Sequence, residues 1–186
     1  MPERYRAKKF EVFTIGHSTR PIEQFIDLLK AHGVKRVIDV RTIPRSRHNP
    51  QFNRESLAES LRGSGIGYTH IKKLGGLRHP LKDSINLGWR NSGFRGFADY
   101  MQTPEFDAAL ERAITLAKKK PCALMCAEAV PWRCHRSLIA DALTVRKIPV
   151  KDIVSGTRAK PHKITPFALI RAARITYPDE TVRRSR

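Results

Sequence analysis

The sequence predicts a three-layer α/β/α domain, a largely parallel sheet with helices on both faces, and three observations lead there. Short apolar runs recur at 11–18 (EVFTIGHS), 36–41 (RVIDVR) and 122–127 (CALMCA). Segments with apolar residues at helical spacing separate them, and such alternation favours parallel strands covered on both sides. Hydrophobic residues make up 40% of 186 positions, enough for one globular core and too many for a disordered chain.

The first run begins apolar and β-branched and ends in Gly16, His17 and Ser18. A helix should follow, because Ile22, Phe25, Ile26 and Leu29 share a face, Pro21 sits where a first turn tolerates proline, and Gly33 ends the pattern. RVIDVR then completes a strand–helix–strand unit. The pattern recurs: a helix over 54–62, a turn at Gly63, Gly65 and Gly67, and a short strand and loop in YTHIKKLGG. Residues 93–119 read as two helices split near Thr103 and Pro104. CALMCA is the next buried strand, 134–146 the next helix and PVKDIVS the last strand. A single Rossmann-like domain is therefore expected over 11–155. Residues 156–186 read as a loosely attached basic C-terminal extension, with helical spacing at 166–174.

Charge is the strongest global signal: 36 Lys and Arg against 17 Asp and Glu give a formal +19 and a pI near 10.6. The partner to expect is nucleic acid or a phosphorylated ligand, although a merely solvated cationic surface has the same composition. No apolar run approaches the roughly 20 residues of a membrane span, so no membrane partner is expected. The opening MPERYRAKKF is basic without an apolar stretch behind it, unlike a signal peptide. With three cysteines, an odd number, a disulfide framework is disfavoured and a cytoplasmic location is expected.

In open α/β sheets ligands bind outside the carboxyl ends of the strands. That rule brings three groups together here: His17 and Ser18 after the first strand; Arg41, Arg45, Ser46 and Arg47 after the second; and Cys126, Glu128, Cys134, His135 and Arg136 after the strand at 122–127. The expected catalytic residues are Glu128, Cys134, His135 and His17. The expected anion- or substrate-binding residues are Ser18, Arg41, Arg45, Ser46, Arg47, Arg78 and Arg136. A thiol at a helix N-terminus, beside Arg133 and Arg136, should be biased toward thiolate; plain core packing is the alternative. Asp39, inside an apolar strand, needs a partner and should orient Arg41 or His17. Gly75 and Gly76 suit either close approach to a ligand or a tight turn. Cys126, Cys134 and His135 offer three zinc donors, but neighbouring residues of a regular helix seldom reach one ion, so no metal is assigned. No cofactor can be named.

Several segments in order, TIGHSTRPIEQFIDLL, VIDVRTIPRSRHNPQFN, LGGLR, FADYM and ALMCAEAVPWRCHRSLIADAL, resemble the family of domains of unknown function numbered 488. The resemblance spans about 13–154. It implies signature roles for His17, Ser18, Asp39, Arg41, Pro44, Ser46, Arg47, Phe52, Gly75, Gly76, Arg78, Cys126, Glu128, Cys134, His135 and Arg136, and no particular reaction. Two functions remain open: an enzyme acting on a nucleotide or nucleic-acid-related substrate, and a non-catalytic nucleic-acid-binding protein relying on phosphate contacts.

Overall fold

The computed structural model describes residues 10–181; the first nine residues, most of the basic opening segment considered above, and 182–186 of the extension lie outside the described residues. Along the chain run β1 (Val12–Gly16), α1 (Ile22–Ala31), β2 (Arg36–Asp39), α2 (Arg54–Gly63), β3 (Gly67–His70), α3 (Ser92–Tyr100), α4 (Pro104–Lys119), β4 (Cys122–Cys126), α5 (Arg136–Val145) and β5 (Val150–Ile153). Three short strands follow, β6 (Ala159–Pro161), β7 (Leu169–Arg171) and β8 (Arg174–Thr176).

The main sheet has the order β3-β2-β4-β1-β5-β6, parallel except for β6, which pairs antiparallel with β5. Strand periodicity divides the core in two. Val12, Ile38 and Leu124 point to the face covered by α3, α4 and α5, where Phe97, Phe106, Leu110, Leu138 and Ile139 are buried. Phe13, Ile15, Val37 and Met125 point to the other face, against Phe25 and Leu29 of α1 and Leu57 and Leu61 of α2. The fold is thus the three-layer α/β arrangement that the alternating sequence predicts.

The topology locates the site. From β1 through β3 the chain moves toward one edge with its helices on one face; after β3 it returns across the sheet, and right-handed crossovers then require helices on the opposite face. Neighbouring β1 and β4 therefore send their outgoing loops to opposite sides, which opens a crevice at their carboxyl ends. Gly16 pairs with Cys126 and Asp39 with Met125, so β1, β2 and β4 end level with one another beneath it.

The segment after β5 differs from expectation. Residues 166–174, which carry helical spacing, contain no helix: β7 and β8 form a hairpin whose turn has Ala172 at φ 54°. The reason is tertiary, because the extended chain buries alternate residues Ile175 and Tyr177 in the core, and a helix would put them on different sides. The segment is not loosely attached over its described part. Tyr177 donates its hydroxyl to Asp141 at 2.9 Å and its amide to Asn86 at 2.9 Å. His162 Nε2 meets the other Asp141 oxygen at 2.7 Å, and Thr165 donates both its amide and its hydroxyl to that carboxylate. Among the described residues, no helix is long and apolar enough to cross a membrane.

Candidate functional site

A cavity of about 630 Å³ occupies the crevice. Its walls come from the loops after β1 (His17, Ser18, Thr19), β2 (Arg41 to Ile43, Arg45, Ser46, Asn49) and β4 (Cys126 to Glu128, then Arg133 to His135), with Gly76, Leu77 and the start of α3 on the remaining side. The strand-end convergence read from the sequence is therefore real in space.

Two close approaches hold the loops in place. A Cβ on Gly16 would collide with the Glu128 carbonyl, so only glycine lets the loop after β4 fold across the end of β1. A Cβ on Gly76 would lie 2.5 Å from both Cγ and Nδ1 of His135. The glycine pair of the LGGLR segment thus makes room for the protein's own groups, Thr42 beside Gly75 and the His135 ring beside Gly76.

The reactive corner of the cavity is built by backbone geometry. A 3-10 turn over Pro131–Arg133 ends at Cys134, whose φ −136° and ψ 138° are extended, and His135 (φ −55°, ψ −18°) starts the helical path into α5. This break lets adjacent side chains converge, which a continuous helix would prevent. His135 Nε2 lies 3.1 Å from the Val40 carbonyl and 3.0 Å from the Leu74 carbonyl. Carbonyls only accept, so Nε2 carries the proton and the Nδ1 lone pair is free. That lone pair faces Cys134 Sγ at 3.7 Å and Cys126 Sγ at 3.9 Å. Phe97 meets the ring edge-on at 5.0 Å and fixes its orientation.

The thiol electrostatics reverse the expectation from helix position. Cys126 is the group pulled down, to about 7, chiefly by the hydrogen bond that the Cys134 thiol donates to it, against the effect of burial. Cys134 is pushed up to about 12 by that same bond and by burial. Its backbone position favours thiolate, but the bond it donates to Cys126 favours the protonated thiol. Cys122 is fully buried and donates to the Lys120 carbonyl.

The remaining expected residues divide into those that face the cavity and those that brace it. Glu128, Arg45 and Ser18 line it, and Ser46 does so while its Oγ accepts from the Asn49 amide. Asp39 orients Arg41 as expected, in a two-pronged pair with Nε–Oδ1 at 2.9 Å and Nη2–Oδ2 at 2.6 Å. Arg41 also donates to the Phe52 carbonyl, and its Nη1 lies 3.3 Å from His17 Nε2. His17 donates from Nδ1 to the Ser18 carbonyl and stacks on Phe52. Both its nitrogens are thereby occupied, and burial pulls its pKa down to about 4, so it is neutral near pH 7.

Arg136 is buried and donates to the Glu128 and Ala129 carbonyls, pinning the loop from behind. Arg78 lies outside the cavity, donating to the Gly75 and Lys73 carbonyls with its guanidinium 3.6 Å from the Tyr100 ring centre. Arg47 is exposed and does not line the cavity. Sequence reasoning did not assign Arg133, Thr19, Thr42, Asn91 or Phe94 to the site, and all of them line it. Arg133 had a usable signal, its place between Pro131 and Cys134; the others come from loops whose placement depends on the whole fold.

The family model for the domain of unknown function DUF488 matches residues 21–143, about two thirds of the chain. This protein belongs to the DUF488 family. The match takes in every cavity wall of the DUF488 domain except the loop after β1, so His17 and Ser18 lie just ahead of it. No curated protein and no solved structure matches the chain.

Proposed function

We propose that this DUF488 protein is an enzyme acting on a nucleotide or nucleic-acid-related substrate bound in the strand-end cavity. The observation that carries this reading is the meeting, in one cavity, of a carboxylate, two thiols, an imidazole of fixed tautomer and two exposed arginines. Arg45 and Arg133 are exposed and form no ion pair among the described residues, so their guanidinium forks are available to phosphate. Phe94 at the wall and Trp132, 71% exposed beside Arg133, offer faces on which a base can stack. Glu128 serves as acid or base, and the Cys126, Cys134 and His135 corner is the reactive centre. His17 and Arg41 position the floor. Three free cysteines suit a reducing, cytoplasmic setting.

The test is turnover of a panel of nucleotides, oligoribonucleotides and oligodeoxyribonucleotides by the wild type and by Glu128→Gln. The expected result is conversion of at least one class, reduced by roughly 10²- to 10⁴-fold in the variant. Equal turnover by both proteins would remove Glu128 from the chemistry.

The second reading, a non-catalytic nucleic-acid-binding protein, is favoured by the net charge of +19. It predicts binding without turnover, with a log–log salt slope of about −0.9 per phosphate neutralised on duplex DNA. Salt-insensitive binding would exclude it.

A further inference from the structure

We infer that Cys126, Cys134 and His135 form a site for one divalent cation of the zinc class, with its fourth coordination position open to the cavity. Their donor atoms all lie within 4.8 Å of one another. A tetrahedral zinc ion bonded at about 2.3 Å to sulfur and about 2.0 Å to nitrogen sets sulfur–nitrogen edges of roughly 3.6 Å. The distances from His135 Nδ1 to the two sulfurs, 3.7 and 3.9 Å, are within a few tenths of an ångström of that figure.

The surroundings of the histidine point the same way. Metal-bound imidazoles commonly donate their other ring nitrogen to a carbonyl or carboxylate, which fixes the tautomer and the direction of the lone pair. His135 does this twice over, through Nε2 to Val40 and Leu74, while Gly76 leaves space for the ring and Phe97 holds its edge. The objection that adjacent residues seldom share an ion does not hold here, because Cys134 is extended and the helix begins after it.

Two thiolates and an imidazole select a soft or borderline cation such as zinc over magnesium or calcium, which prefer oxygen donors. Three protein donors, all at the cavity wall, leave the fourth position to water or substrate, the pattern of catalytic zinc sites as opposed to closed structural ones. The cation would supply the reactive centre of the proposed activity, so the inference rests on that reading for its purpose. Its test requires no substrate.

The full chain, reduced and stripped with a chelator, is titrated with zinc and with cobalt(II), and bound metal is counted by elemental mass spectrometry. One ion per chain is expected, with a thiolate-to-cobalt charge-transfer band. Cys126→Ser and Cys134→Ser should each weaken binding by more than the roughly 10- to 100-fold that accompanies loss of an outer-shell partner. Glu128→Gln should bind as wild type does. Because a serine variant can misfold, site-resolved alkylation of the wild type is measured in parallel: zinc should protect Cys126 and leave the rate at Cys122 unchanged. Absence of stoichiometric zinc, equal uptake by the serine variants, or equal alkylation with and without zinc would each overturn the inference. Zinc binding without turnover of any substrate would refute the enzymatic reading alone. Turnover by a chain that takes up no zinc would refute the metal site alone.

Discussion

Two histidines meet opposite fates in this molecule. His162, in the segment after β6, is closed between Asp141 and Asp152, and the same Asp141 carboxylate also accepts from Thr165 and Tyr177. His135 anchors only one nitrogen, and directs the other at two thiols on the wall of a cavity. The first network satisfies its polar groups internally and so holds the fold together. The second leaves a lone pair and two soft donors facing a space large enough for a ligand. Buried polar groups that do not saturate one another are the ones to read as functional.

The largest expected effect lies in the saturated network. Asp141→Ala leaves His162, Thr165 and the Tyr177 hydroxyl without their acceptor and should cost about 3–5 kcal/mol, read by denaturant unfolding. A cost below about 1 kcal/mol would mean that the segment after β5 contributes little to stability.

The next effect depends on pH. Burial opposes the charge on His162, and its bonds to Asp141 and Asp152 outweigh that opposition, raising its pKa from 6.5 to about 9. A folded-state pKa above the unfolded value means that the stabilisation is complete below pH 6.5 and is lost as pH rises through 9. Wild-type stability should therefore fall across this window by at most about 3 kcal/mol. His162→Gln should flatten the fall, and an identical slope in both proteins would assign it elsewhere.

Smaller effects are expected at the reactive corner. Gly76→Ala forces the His135 ring to move and should cost about 1–3 kcal/mol as an overpacked contact, with weaker zinc uptake. Retained zinc affinity would show that the ring position is not set by this glycine. Glu128→Gln, on an exposed side chain, should change stability by no more than about 0.5 kcal/mol while removing activity. A variant that loses both would place Glu128 with the bracing residues.

The fold and the convergence of loops were legible because they follow from local signals. Period-3.6 spacing identifies α1, short apolar runs identify β1, β2 and β4, and the strand-end rule then places His17, Arg41 and Glu128 together without any knowledge of contacts. Asp39 was legible for a different reason: a carboxylate in an apolar strand must find a cation, and Arg41 is two residues away. What could not be read depends on contacts distant in sequence. The helical spacing at 166–174 gave way to a hairpin because Tyr177 docks on Asp141, 36 residues earlier. Arg78 and Arg136 looked like anion binders, yet both donate to backbone carbonyls, and such bonds leave no pattern in the sequence. The opposite pull on the Cys134 and Cys126 thiols was hidden likewise, since it requires the two sulfurs to be neighbours.

The most direct test of the division between a bracing network and an open corner is alkylation of the native, metal-free protein, resolved by cysteine and repeated with saturating nucleotide. The account predicts that Cys126 reacts without unfolding, that a bound nucleotide protects it, and that Cys122 stays inert throughout. A Cys126 thiol that reacts only after unfolding, or that reacts equally with and without ligand, would contradict it.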